Sequence, residues 1–367
     1  MTPGESAAGI AVSSVSREEL LRRAAALVPV LEERAARTEE LRQVLPENVR
    51  DLLASELIRI GNPRRYGGHD AEVDTAYEVG FELGRGCGST AWCYSLWTAH
   101  NWWLGHFPER CQDEFFATGP DTLFSSGCDA ATWVMVAVPG SRPTSLLWLL
   151  LPRSDYQIVD TWFASGMRGS GSKDIVIAGA FVPAHRAIDP DRSGAEDMTG
   201  WELHGRLSYR APLRCLAGWD LAAPLIGIAQ GAADAFAARA QRTSGPGRAA
   251  DSVALQLRLA EAAAEVDAAR ALHRQDIREI LDRAARGAGF TELDRIRYRR
   301  DKAFIARLCV RAVDRLFEGS GARAVLDTEP IQRFHRDAHG ASHHAALSWD
   351  LVAEQFGRQA MGLGTSS

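Results

Sequence analysis

The sequence predicts an α+β fold that is mainly helical, with a small β domain between two helical domains. Three observations predict it. Apolar residues recur at helical spacing through the first 120 residues. Short apolar runs punctuated by Pro, Gly and Ser then fill residues 121–212. Helical spacing returns at residue 213 and holds to the end of the 367-residue chain. The expected domains are therefore 1–120, 121–212 and 213–367.

Residues 1–15 are small and polar and read as a loose tail. Ser16 stands three residues before Glu19, a capping-box spacing. Leu20, Leu21, Ala24, Leu27, Val28 and Leu31 follow at helical spacing. A second helix is expected over 46–57, with Pro46 in its first turn. Tyr66-Gly67-Gly68-His69 reads as a turn. Residues 74–116 read as two further helices, broken near Gly86 and Gly88. After Gly119-Pro120, the runs 133–138, 146–151, 157–162, 174–182 and 202–209 have strand lengths. Residues 255–281 form a long Ala-rich amphipathic helix. Ile305, Leu308, Cys309, Ala312, Val313 and Leu316 make another apolar stripe. A last helix is expected from near Ser342 to near Gly362.

Composition excludes several classes. The chain carries 42 basic and 47 acidic residues, a net charge of −5. Phosphate backbones want a basic surface, so nucleic acid is not expected as a partner. Lys173 and Lys302 are the only lysines; the other basic residues are arginines. The six cysteines form no CxxC pair and show no regular spacing, which points to a reducing cytoplasm. The N-terminus has no basic segment followed by an apolar one, so no signal peptide is expected. Residues 145–151, taken as the most apolar stretch, are too short to span a bilayer.

Five segments carry a family resemblance. They are Leu45-Pro46-Glu47 through Tyr66-Gly67-Gly68, then Cys87-Gly88-Ser89-Thr90-Ala91-Trp92, and Phe124-Ser125-Ser126-Gly127-Cys128-Asp129 with Trp133. The others are Gly166-Met167-Arg168-Gly169-Ser170-Gly171-Ser172, leading to Phe181-Val182-Pro183 and Arg186, and Arg333-Phe334-His335-Arg336-Asp337-Ala338-His339 through His344. In that order they resemble the acyl-CoA dehydrogenase superfamily, in its branch of two-component flavin-dependent monooxygenases. The resemblance implies reduced FMN or FAD taken from a separate reductase, O2, and an aromatic or polyketide-like substrate. One departure stands out. In relatives, strands of the β domain precede the Ser-Gly-Cys motif. Here residues 117–123 are too few for a strand pair and turn, which need roughly 12–15 residues. The β domain is expected to be shortened, with an exposed edge.

The resemblance also assigns roles. His344 matches the base or hydrogen-bonding His, and its imidazole titrates near neutral pH. His339 is the second choice, as a substrate contact. Trp92 falls where relatives place an active-site aromatic or His. The dense Trp92, Tyr94, Trp97, Trp102, Trp103 and Phe107 read either as an aromatic wall or as core packing. Ser126 matches a serine near the flavin ring edge, and Ser170 lies on a loop lining the flavin or substrate. Arg242 resembles the arginine that pairs with the flavin phosphate of a neighbouring subunit. Gly319, Ser320 and Gly321 occupy a Gly-rich turn that meets flavin from that subunit. Residues 166–172 precede a strand-like run, so their glycines are not a dinucleotide fingerprint. Arg336 and Asp337 read as a packing ion pair. His335/His339 and His339/His343 have chelating i,i+4 spacing. Gly340 interrupts the run and Asp337 sits on another face, so no metal is expected.

A true acyl-CoA dehydrogenase needs a carboxylate base near residues 340–344, where this sequence reads Gly340-Ala341-Ser342-His343-His344. Hydroxylation is therefore favoured over desaturation. A flavin-free scaffold or partner protein that kept the helical interface is the remaining alternative. Shared flavin ligands imply a homotetramer, or at least a dimer.

Overall fold

A computed structural model describes residues 15–69, 71–117, 119, 127–140, 145–242 and 249–363. The first helices are α1 (Arg17–Leu41), α2 (Pro46–Ala54), α3 (Val73–Gly86), α4 (Gly88–Leu104) and α5 (Glu109–Phe116). The strands follow: β1 (Trp133–Pro139), β2 (Leu146–Pro152), β3 (Gln157–Val159), β4 (Asp174–Val176) and β5 (Ala187–Ile188). Three short helices come next: α6 (Thr199–His204), α7 (Leu207–Arg210) and α8 (Leu213–Leu216). The long helices of the C-terminal bundle are α9 (Trp219–Arg242), α10 (Val253–Arg286) and α11 (Glu292–Gly319). After them come α12 (Pro330–Ser342) and α13 (Trp349–Ala360).

Local chemistry sets these ends. The Ser16 hydroxyl accepts the Glu19 N–H at 3.2 Å and starts α1. Thr291 and Asp294 form a full capping box at the start of α11. Gly86 and Gly88 flank the α3–α4 break where the sequence places it. α9 is the axis of the molecule, with Leu225, Ile226, Ile228 and Ala229 buried. It meets α3 backbone to backbone. A Cβ at Gly84 would lie 2.6 Å from the Pro224 carbonyl oxygen, so only glycine permits this contact. Around α9, one core joins α3, α4, α9, α10, α11 and α12. A second joins α1 to α3 and α4.

The strands make two small sheets. In the first, β1 pairs antiparallel with β2 in the register Val136↔Leu149, and β2 pairs with β5. In the second, β3 pairs with β4. Among the described residues no strand lies between α5 and β1. Around the β3–β4 sheet, Phe163 and Phe181 are 73% and 86% exposed, and Val159 and Val176 are also exposed.

Four expectations need correction. Residues 74–116 hold three helices rather than two, because Pro108 starts α5 anew after the turn at Gly105. Residues 202–209 are helical rather than a strand. The Glu72 carboxylate accepts the N–H groups of Leu207 and Ser208 at 2.9 and 3.2 Å, which caps α7. The last helix starts seven residues later than the expected Ser342. α12 stops at Ser342, His344 is extended (φ −63°, ψ 137°), and α13 starts at Trp349. The short run 145–151 does not set the longest apolar segment. Leu213–Arg242 is long and apolar enough to cross a membrane, and 72% of its apolar window is buried in the bundle.

Candidate active site

The site is assembled where the loop 166–172 docks onto α12, α4 and α1. The Met167 N–H donates to Asp337 Oδ1 at 2.6 Å, and the Trp162 indole N–H donates to the Met167 carbonyl at 3.0 Å. A Cβ at Gly166 would overlap the Arg336 carbonyl oxygen, so this contact also needs glycine. The Cys93 thiol of α4 donates to the Ser170 carbonyl at 3.2 Å. Met167 takes a left-handed φ of 53°, uncommon for a residue with a side chain. Burial pushes the Asp337 carboxyl up to about 6, against the opposing pull of the Met167 N–H.

Arg336 and Asp337 do not pair with each other as expected. The Arg336 guanidinium binds Glu39 of α1 and donates to the Ser165 carbonyl at 2.8 Å. Residues one apart point to different sides of a helix, so each finds its own partner.

Trp92 and His344 come together. Their ring centroids are 5.7 Å apart and the rings meet at 65°. Trp92 is buried in α4, while His344 stays exposed at the end of the α12 segment. His344 Nδ1 accepts the Ala346 N–H at 3.2 Å. The neutral ring therefore carries its proton on Nε2, the nitrogen left to face a ligand. Desolvation lowers the imidazole pKa from its ordinary value, which keeps this neutral form at pH 7. The same hydrogen bond caps the short helical turn Ala345–Leu347 that follows α12.

The other aromatics separate. Tyr94, Trp97 and Phe107 are core residues. Trp102 donates its indole N–H to Ser208 Oγ at 3.0 Å, and Trp103 stacks on Trp148 of β2 at 4.6 Å. Ser170 is 1% exposed, and its hydroxyl bonds Ser172 at 3.0 Å. Ser126 lies outside the described residues. Gly319, Ser320 and Gly321 line a cleft of about 210 Å³ with Phe236, Arg239, Ala240 and Leu255. Arg242 is exposed in the last turn of α9, three residues from Arg239. Gly321 has φ +66° and an open Cβ direction, so the turn leaves backbone facing the cleft.

His339 points elsewhere. Its Nε2 lies 2.7 Å from Asp314 Oδ1 on α11, and His335 Nε2 lies 3.0 Å from the same oxygen. Asp314 and the Asp337–Met167 bond were not legible in the sequence, because each joins segments far apart in the chain.

A cleft with an aromatic ring, one arginine and a glycine turn fits the phosphate-bearing end of a flavin. The Trp92–His344 pair supplies an aromatic face and an N–H donor suited to its ring or to a substrate. The family model for the acyl-CoA dehydrogenase C-terminal domain matches residues 220–349. The flavin-dependent monooxygenase oxygenase subunit HsaA of Mycobacterium tuberculosis is 32% identical over an alignment covering 92% of this chain and 94% of the relative. The chain belongs to this family of flavin-dependent monooxygenase oxygenase subunits. The crystal structure of the M. tuberculosis HsaA monooxygenase superposes with a TM-score of 0.90 at 31% identity, covering 96% of this chain and 99% of that one. XiaF from a Streptomyces species, solved in complex with FADH2 and glycerol, gives a TM-score of 0.86 at 25% identity, over 96% and 97% of the two chains.

This member of the monooxygenase family is shortened. The FADH2-dependent resorcinol hydroxylase oxygenase component of a Rhizobium species is 31% identical over 386 aligned columns. Those columns take in 94% of this 367-residue chain, about 345 residues, and 94% of the relative. About 41 columns are thus filled by the relative alone, within the aligned span.

Proposed function

We propose that this chain is the oxygenase component of a two-component flavin-dependent monooxygenase acting on an aromatic small molecule. A separate reductase supplies reduced FMN or FAD. Bound reduced flavin supplies the oxygen-activating chemistry. The chain's own residues bind it, exclude water and place a proton donor. The observation that carries this reading is the Trp92–His344 pair, with Nδ1 held by Ala346 and Nε2–H left for a ligand. His344 acts in this geometry as a hydrogen-bond donor. No carboxylate stands at 340–344, where α-proton removal would need one.

Ser126 and Ser170 belong to the flavin side of the same reading, whereas His339, turned to Asp314, is left out of it. Arg242 with Gly319, Ser320 and Gly321 serves the flavin of a neighbouring subunit in a cytoplasmic homotetramer or dimer. The exposed Val253 and Leu257 at the start of α10 support an assembly surface. Domain boundaries near 120 and 213 fit this arrangement. Arg242→Ala is expected to weaken reduced-flavin binding by about tenfold, since charge-assisted bonds contribute about 1.5–3 kcal/mol when well formed. Unchanged affinity by anaerobic fluorescence titration would remove Arg242 from the site.

A second reading is kept for one observation, the shortening within the aligned span. A flavin-free scaffold protein would show no flavin binding at all. Purification with a reductase, NADH and flavin, followed by product analysis on a panel of phenols, tests the first reading directly. Hydroxylated product supports it, and flavin-independent behaviour supports the scaffold.

A further inference from the structure

Two imidazoles and one carboxylate meet between α11 and α12, outside the site described above. His335 and His339 are one turn apart on α12, and both present Nε2 to Asp314 Oδ1, at 3.0 and 2.7 Å. All three donor atoms lie within 4.8 Å of one another. Phe317, one turn beyond Asp314, stacks on the His335 ring at 4.3 Å and fixes its plane. The side chains are 28%, 40% and 40% exposed, so a hydrated ion can reach them.

We infer that Asp314, His335 and His339 form a divalent transition-metal site, of the zinc class, that staples α11 to α12. The donor set is the first reason. Two neutral imidazoles and one carboxylate suit zinc and its neighbours, and they leave a fourth position for water. Geometry is the second. Tetrahedral ligands at metal distances of about 2.0–2.1 Å stand about 3.3 Å apart. The two measured separations from Asp314 are a few tenths of an ångström shorter, as expected for ligands hydrogen-bonded to one another. Small rotations of the exposed side chains open them. The i,i+4 spacing was visible in the sequence, but the carboxylate comes from another helix.

The staple would sit on the side of α12 away from Asp337, which holds the 166–172 loop. Metal binding is then expected to stiffen the helix that leads to His344, whatever the reaction. The test is titration of the chelator-treated, full-length protein with zinc chloride by calorimetry, alongside cobalt(II) chloride followed by visible absorption. One ion is expected per chain, with cobalt bands of low-coordinate geometry and a rise of a few degrees in Tm. Asp314→Asn and His335→Gln are each expected to weaken zinc at least about tenfold. His343→Gln, which alters the exposed neighbouring His, is expected to leave affinity unchanged. Circular dichroism confirms that each variant is folded. The proposal is overturned if wild type shows no saturable binding, or if both ligand variants bind zinc as wild type does. It is equally overturned if His343→Gln alone abolishes binding, which would place the ion on the His339/His343 pair.

Discussion

His344 shows how one hydrogen bond can set both backbone and chemistry. Accepting the Ala346 N–H on Nδ1 caps the turn 345–347 that follows α12 and leaves the proton on Nε2. His344→Ala is expected to leave folding and reduced-flavin affinity nearly intact. Hydroxylated product per O2 consumed should fall about 10²-fold, the scale on which a positioned proton-transfer or donor group acts, with hydrogen peroxide released instead. His343→Ala is the control. His343 is exposed at the α12 C-cap, its Nδ1 bonded to the His339 carbonyl at 2.8 Å, and its loss should matter little. Equal coupling in both variants, measured by oxygen uptake against product, would make His344 structural. At this scale motif order named Trp92 and His344 as candidates, and the structure brings their rings to 5.7 Å. The sequence did not show the tautomer, because that depends on a backbone N–H two residues away in an extended segment. It placed His339 with the substrate, whereas the ring pairs with Asp314, a residue 25 positions earlier on another helix.

Among the elements, the loop 166–172 depends on contact with α12. Gly166→Ala is expected to destabilise the protein by about 1–3 kcal/mol, the range for overpacking a tight contact. The cause is the added methyl, which meets the Arg336 carbonyl. Urea denaturation checks this, and an unchanged midpoint would show that the loop is not held there. Asp337→Ala should cost a similar amount by stranding the buried Met167 N–H. Helix existence was legible where apolar spacing ran for several turns, as in α1, α10 and α11. It was not legible at 202–209. There the period is short, and the deciding partner is the Glu72 carboxylate, 135 and 136 residues distant from Leu207 and Ser208. The boundary near Ser342 was legible, but the late start of α13 at Trp349 was not, since the His344 side chain caps the turn between them.

Across the whole molecule, burial controls the response to pH. His273 is buried between Tyr77 and Trp219, and its Nε2 lies 3.1 Å from the Trp219 carbonyl. Desolvation lowers its pKa from 6.5 to about 4. The unfolded chain therefore binds this proton more readily than the folded one. The stability it supports is complete above pH 6.5 and is lost as the pH falls toward 4. His273→Gln should flatten the fall of Tm between pH 6.5 and 4; an unchanged slope would show that the ring is not held neutral. The order of helices, strands and helices was legible because the period of the apolar pattern changes twice. The sequence places the shortening near residue 120, in a stretch that lies largely outside the described residues. What the loss of length within the aligned span does to flavin binding is the central matter. Anaerobic titration with reduced FMN and reduced FAD, followed by oxygen, tests it most directly. The account predicts saturable binding of one or both, and release of hydrogen peroxide that is markedly slower than from free reduced flavin. No binding, with reoxidation at the rate of free flavin, would contradict it.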